Sequence, residues 1–426
     1  MERAIKNMEK HSLITNTKIE LLRNGVNFNP LNMFSNYEDI NKYKTKKIKV
    51  KPTIVGSEVY DLEKNSNILP SEVILSHDDR KSICKLRYNS SSPMRIVLKD
   101  KMLSLYNTDY LIPIGIEFVE KINILNKKTG ININGIDTVV GDFIDIVGVD
   151  RISILFFEGC YNWNCGKACK FCDLHPKQKC DAVVKPTTNQ LFYYNNNIKA
   201  WWEATREKYF AGIKFSLEEV LKYFGNTHCH IFFMSGNLPS LEDVWNVSED
   251  LICFVSKFIN LSKFDTYLNI APHDNIERLK RIKDYGIRQV QYNLEIANQI
   301  LFEDACPGKL KYEVFAKKLV EAVSIMGKGN VRSNFVFGLQ DKEELLSEIK
   351  KLASSGIVAD YSIFQPKNNT PFQEKKAPNF DDVLEFSEKL TDIYYEYKFK
   401  PIFCSLSSRS SIINEIYEDR YKNNIL

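Results

Sequence analysis

The sequence predicts an α/β protein: a partial or full (β/α) TIM-type barrel of parallel strands, with a mixed α+β accessory region in front. Two observations carry that prediction. From residue 151 onward, short apolar runs alternate with helix-like segments, and the runs lack the polar face of a half-exposed antiparallel sheet. The strand candidates are Ile152–Phe157, His230–Met234, Tyr267–Ala271, Gln289–Leu294, Val331–Phe337, Tyr361–Phe364 and Ile402–Leu406. Helix ends are also legible. Ser216-x-x-Glu219 and Asp341-x-x-Glu344 have capping-box spacing, and Gly286 and Gly356 stand where a helix ends in a left-handed residue.

Six or seven such units favour a barrel over an open sheet. The expected division is an accessory region over 1–150, a barrel over 151–411 and a tail over 412–426. An insertion at about 173–227 interrupts the barrel, because about 55 residues separate Cys172 from the second strand. Within it, Trp201 and Trp202 are read as filling a local core. In the accessory region a helix is expected around Ile14–Leu22, and MRIVL, YLIPIGIEFV and FIDIVGV read as strands.

Composition narrows the class. The chain has 426 residues, 44% hydrophobic and 26% charged, with 58 basic against 54 acidic residues, a balance that does not indicate nucleic acid as the partner. No run reaches the length of a membrane span, and the charged N-terminus lacks the apolar core of a secretory signal. The expected location is therefore cytoplasmic. Four of the ten cysteines crowd between Cys160 and Cys172, which points to metal rather than to disulfides.

The central motif is GCYNWNCGKACKFCDL, Gly159 to Leu174, directly after the first barrel strand. Cys165, Cys169 and Cys172 can supply three thiolates to three corners of a cuboidal [4Fe–4S] cluster, leaving one iron open for a small chelating molecule. The competing reading is structural zinc held by a subset of Cys160, Cys165, Cys169, Cys172 and His175. Cys160 and Cys180 are spare in the iron–sulfur reading.

Cys-x3-Cys-x2-Cys with Phe171 before the last cysteine resembles the signature of the radical S-adenosylmethionine (SAM) superfamily. The resemblance implies that the open iron binds SAM, and that reduction yields a 5′-deoxyadenosyl radical that abstracts a substrate hydrogen. It extends in order over about residues 151–372. Ser235-Gly236-Asn237 stands where the superfamily has Gly-Gly-Glu, which holds the SAM amino group, with Asn237 in place of the acid. Asn293-Leu294-Glu295 is similar to the Asn-Leu-Asp/Glu element of the biotin synthase and lipoyl synthase branch, which binds the ribose hydroxyls. The run from Val331 to Gln340, with Ser333 and Gly338, resembles that branch's element near the adenine. Thr370-Pro371 resembles the Gly-Thr-Pro turn, with Asn369 at the glycine. The auxiliary-cluster cysteines of that branch are missing.

Candidates for the reaction itself are Arg332, Cys306, His273 and Arg409, with no catalytic residue identified. Arg332 and Asn334 are expected to face inward, Arg332 toward a substrate anion or in a buried ion pair. Cys306 is placed either at the cavity or as a buried thiol. His273 sits where catalytic groups collect or caps a turn, and Arg409 closes over an anion or is exposed. The resemblance implies a small-molecule or peptide substrate and a flavodoxin- or ferredoxin-type electron donor. Sulfur insertion or methyl transfer is the alternative reaction, and a non-catalytic zinc or iron–sulfur protein the alternative of another class.

Overall fold

A computed structural model describes residues 11–28, 69–99, 102–157, 159–174, 195, 197–367, 369–401 and 406–421, with three two-residue strands before residue 69. Helix α1, Leu13–Asn24, opens on Ser12, whose hydroxyl accepts from the Thr15 amide at 3.3 Å. The accessory strands follow: β1 Glu72–His77, β2 Arg80–Lys85, β3 Met94–Lys99, β4 Met102–Asn107, β5 Tyr110–Ile112, β6 Gly115–Phe118, β7 Lys128–Ile133 and β8 Ile136–Val139. They pair antiparallel as two three-stranded sheets, β6-β1-β2 and β3-β4-β5, and one hairpin, β7-β8.

The main sheet contains β9 Asp145–Val147, β10 Arg151–Leu155, β11 His230–Met234, β12 Asp265–Asn269, β13 Gln289–Gln291, β14 Val331–Phe337 and β15 Ile357–Ile363, side by side in chain order. Every pair from β10 to β15 is parallel, which requires crossover connections; β9 runs antiparallel on the β10 edge. The sheet thus begins at residue 145, inside the segment assigned to the accessory region. The expected strand at 402–406 falls outside the described residues except for its last position.

The crossovers hold α2 Ile198–Phe224, α3 Leu241–Ser256, α4 Glu277–Asp284, α5 Gln299–Ala305, α6 Tyr312–Met326, α7 Lys342–Ser354 and, after β15, α8 Phe380–Glu396. Asp341 caps α7 as its spacing predicts, accepting from the Glu344 amide at 2.9 Å, and Gly286 and Gly356 have φ of 101° and 90°. Ser216 caps nothing. It is buried in the middle of the 27-residue α2, because good helix formers on both sides carry the helix through it. This helix occupies much of the supposed insertion and is part of the core. Trp201 and Trp202 pack on Tyr209, Trp202 also on Phe210, and Phe210 stacks on Phe254 of α3. Gly212 lets α2 approach Phe143, since a Cβ there would lie 2.0 Å from the ring.

The strands are not apolar on both faces. Residues of one face, among them Phe232, Tyr267, Gln291, Asn334 and Asp360, line a cavity of about 580 Å³ including its open mouth, bordered by Ser408, Ser410 and Ser411. The expected tail is instead α9, Ile413–Tyr421, docked on α8. Lys18 of α1 is fully buried, and its ammonium bonds Glu415 at 2.6 Å, Ser407 at 2.9 Å and Ser82 at 3.1 Å. No described helix is long and apolar enough to cross a membrane.

Candidate cofactor site

In a parallel sheet every strand delivers its C-terminal end to the same rim, where loops gather functional groups. The cysteine loop leaves β10 there. A short turn at Tyr161–Trp163 is fixed by the Tyr161 amide donating to the Asn237 carbonyl at 2.8 Å. Gly236 is a steric necessity, since a Cβ on it would stand 1.6 Å from the Gly159 carbonyl oxygen. The Lys170 amide donates to the Ala305 carbonyl at 2.8 Å, and the Phe372 amide to the Lys170 carbonyl at 3.1 Å. Lys367 pairs with Asp173 at 2.6 Å. Three neighbours therefore brace the loop: the exit of β11, the end of α5 and the segment after β15.

Cys160, Cys165, Cys169 and Cys172 are free thiols, Cys165 exposed and the others half-buried. A hydrogen bond with the Cys306 thiol, together with burial, pushes Cys169 well above the ordinary thiol range. Burial pushes Cys172 up to about 12 and raises Cys160. Such thiols keep their protons at neutral pH until a metal displaces them. Cys306 is itself buried, but it faces the motif and not only the core.

Facing the loop is the exit of β13, which leaves the ladder at Gln291, earlier than expected. Glu295 has φ of 70°, a conformation that costs an L residue roughly 1–2 kcal/mol. Two backbone bonds to β14 hold it there: its amide donates to Asn334 at 2.9 Å, and its carbonyl accepts from Val336 at 2.8 Å. The Glu295 carboxylate accepts from Lys309 at 3.2 Å and from the Asn334 side chain at 3.4 Å. Asn293 accepts from the Asn334 amide at 3.2 Å and reaches Asn269 at 3.5 Å.

Lys309 was not singled out by sequence reasoning. Its ammonium donates to the Asn293 carbonyl at 2.5 Å and to Glu295. Burial by itself would lower its pKa, but Glu295 and the sulfurs of Cys169 and Cys306 outweigh burial and raise it. The signal available was Gly308-Lys309. Gly308 presses on the cysteine loop, where a Cβ would meet Asn162 at 2.3 Å, and so carries Lys309 inward.

Several sequence candidates have other roles. Arg332 is buried with its guanidinium forked onto Asp360, at 2.7 and 2.6 Å, so it is the ion pair and not an anion receptor. Arg409 pairs with Glu72 of β1 and is half-buried rather than exposed. His273 is a turn residue, its ring contacting Glu242 at 2.8 Å and accepting from the Asn275 amide at 2.9 Å. Ser333 is buried and accepts from the Leu294 amide at 2.9 Å, bracing the Asn293–Glu295 turn. Gly338, with φ of 105°, leaves room for Pro378, which a Cβ would meet at 2.7 Å. The Ser235 hydroxyl donates to the neighbouring Gly236 carbonyl at 2.8 Å. Phe171 packs half-buried on the core. Asn369 takes φ of 62°, a left-handed conformation that Asn tolerates, which accounts for its standing at the expected glycine.

Cys165, Cys169 and Cys172 offer three thiols on one braced loop, a donor set of the kind that iron–sulfur clusters and zinc take. His175 and Cys180 lie outside the described residues. The ring of Asn293, Glu295 and Lys309 offers donors and acceptors to a polar organic molecule beside the thiols.

The fold and site define an α/β protein with a partial barrel and a three-cysteine loop on its C-terminal rim. No family model matches the chain. It is similar to bacteriochlorophyllide c C-7(1)-hydroxylase of Chlorobaculum limnaeum, 26% identical over 144 residues, which cover 32% of this chain and 35% of that protein. The match thus spans about a third of the curated relative. Among solved structures, methylornithine synthase (PylB) has a TM-score of 0.43 at 12% identity, covering 66% of this chain and 70% of that one. The [FeFe]-hydrogenase maturase HydG has 0.40 at 15%, covering 63% and 54%. Coproporphyrinogen III oxidase (HemN) of Escherichia coli, described as a radical SAM enzyme, has 0.35 at 10%, covering 63% and 57%. At these scores the structural likenesses carry no inference about chemistry.

Proposed function

We propose that the chain is a radical SAM enzyme, with a [4Fe–4S] cluster on Cys165, Cys169 and Cys172 and SAM beside it. The observation that carries this reading is the braced three-thiol loop facing Asn293, Glu295 and Lys309 across the rim. When bound, the pair supplies reductive cleavage of SAM to methionine and a 5′-deoxyadenosyl radical, which takes hydrogen from a substrate.

The protein's own residues bind, orient and shield. Glu295, held off the ladder in its left-handed conformation, offers a carboxylate to the ribose hydroxyls. Lys309 fixes that carboxylate's direction and places positive charge near the thiolates, which favours their deprotonated state. Asn293, aligned by Asn334 and Asn269, adds an amide to the same edge. The backbone at Ser235, Gly236 and Asn237, packed against the root of the cysteine loop, is assigned in this reading to the SAM amino group. Phe171 covers the loop's apolar side. Ser333 braces the Asn293–Glu295 turn by accepting from the Leu294 amide, and Gly338 packs against Pro378 at the end of β14. The cavity beneath, lined by Gln291, Asn334 and the serines of 408–411, suits a small substrate with polar groups. A flavodoxin- or ferredoxin-type protein is the proposed electron donor.

Anaerobic reconstitution tests the reading. The expected result is about four irons and four sulfides per chain, with 5′-deoxyadenosine released on reduction. Stoichiometric zinc with no SAM cleavage would overturn it. Full SAM cleavage by Cys169→Ala would overturn the ligand assignment alone.

A further inference from the structure

At the opposite end of the sheet, where the strands begin, a second set of potential ligands converges. His230 starts β11, and His228 precedes it by two residues, so extended backbone sends both imidazoles to one side. Asp265 starts β12 and is the register partner of His230. One ligand atom from each of His228, His230 and Asp265 lies within 4.8 Å of the others.

Proximity of polar groups is common; the state of His230 is not. Its residue is 3% exposed, and neither ring nitrogen has a hydrogen-bond partner. A buried polar atom left in that condition is destabilising, so the ring's surroundings suit something other than protein. The Asp150 carboxylate, equally buried, stands 3.6 Å from Nε2. That is too long for a hydrogen bond and close enough to tighten into one. A metal-bound histidine characteristically turns its second N–H to a carboxylate, and Asp150 is placed to receive it.

From this arrangement we infer that His228, His230 and Asp265 bind a divalent transition-metal ion, zinc by preference, with Asp150 orienting His230. Two imidazoles and a carboxylate, completed by water, are a borderline donor set that suits zinc. The Asp265 carboxylate now accepts from His228 at 3.1 Å and from Arg288 at 3.2 Å. The ion takes the place of the His228 contact and leaves the Arg288 contact standing. Because the group joins the entries of β10, β11 and β12, the ion's role is to clamp the base of the sheet. The inference is independent of the cluster on the far rim.

The test uses the full chain with Cys165, Cys169 and Cys172 all changed to Ser, loaded with zinc, dialysed against metal-free buffer and analysed by mass spectrometry. About one zinc per chain should remain, cobalt should give the ligand-field bands of a low-coordinate site, and chelation should lower the melting temperature. Adding His228→Ala, at an exposed position, or Asp265→Ala should remove the metal while the circular dichroism is kept. If the triple variant fails to fold, zinc counted beside iron in the cluster-loaded wild-type chain, with and without His228→Ala, decides the matter. Zinc below about a tenth of an equivalent, or zinc untouched by both substitutions, overturns the site. Either result leaves SAM cleavage by the wild-type chain unaffected, so the two readings fail separately.

Discussion

Replacing Arg332 with Met separates the two roles its sequence position suggested. In the structure the guanidinium is buried and doubly bonded to Asp360, with the Lys400 carbonyl at 3.4 Å. Burial opposes its charge, but Asp360 outweighs burial and raises its pKa, so the guanidinium stays charged. Removing Arg332 leaves the Asp360 carboxylate with the Tyr394 hydroxyl, 3.3 Å away, and little else. Breaking a buried pair in this way costs about 3–5 kcal/mol, whereas replacing both partners by apolar groups of similar volume is often neutral or stabilising. Arg332→Met should therefore lose stability on that scale, and Arg332→Met with Asp360→Leu should recover most of it. Urea unfolding followed by tryptophan fluorescence, in all four corners of the cycle, measures the coupling. If Arg332→Met is as stable as wild type while substrate turnover collapses, the structural reading of Arg332 is wrong and the anion-receptor reading returns.

Three other outcomes are expected. Gly236→Ala should abolish stable cluster reconstitution with little change in circular dichroism, because its Cβ would sit 1.6 Å from the Gly159 carbonyl; normal iron content would refute the packing argument. Glu295→Gln should weaken SAM binding by about tenfold to a hundredfold, on the scale of a charge-assisted hydrogen bond of about 1.5–3 kcal/mol, read by calorimetry on the reconstituted protein. Unchanged affinity would remove Glu295 from the cofactor edge. The Asp419 carboxyl of α9 is raised by burial, but His11 and Arg80 more than reverse this and hold it below the usual 3.8. Its contribution is present above about pH 4 and is lost as pH falls through the lower folded-state value. Asp419→Asn should flatten the acid limb of the melting-temperature profile, and parallel limbs in the two proteins would count against it.

The parts of the fold that were legible in the sequence are those set by short-range pattern. Strands β10, β11, β12 and β14 lie within two residues of their expected places, since apolar runs bounded by caps and glycines specify them locally. Expectations failed where tertiary contacts override local signals. The Ser216 spacing is a helix start in isolation, but α2 runs through it because Phe143 and its neighbours reward a continuous buried face. Strand β13 stops early because bonds from β14 pull Glu295 into a left-handed turn. The cysteine loop could be recognised because Cys165, Cys169 and Cys172 lie within eight residues. Lys309 offered only its place after Gly308, since its partners Asn293 and Glu295 lie on the exit of β13 and its neighbourhood is completed by Asn162, 146 positions away from Gly308. The bonds that occupy Arg332 and Arg409 are likewise long-range, to Asp360 and to Glu72.

The ammonium of Lys18 has a consequence for how the chain comes into being. Its carboxylate partner, Glu415, is 397 residues further on. At ribosomal rates of about 5–20 residues per second, roughly 20–80 s pass between the emergence of the two. During that interval α1 carries a cation whose eventual site is interior and unfinished, so the helix cannot settle into its final seat. The first described helix is thus among the last to dock. A nascent chain stalled short of α9 should leave α1 open to proteolysis, while the parallel strands behind it are already protected.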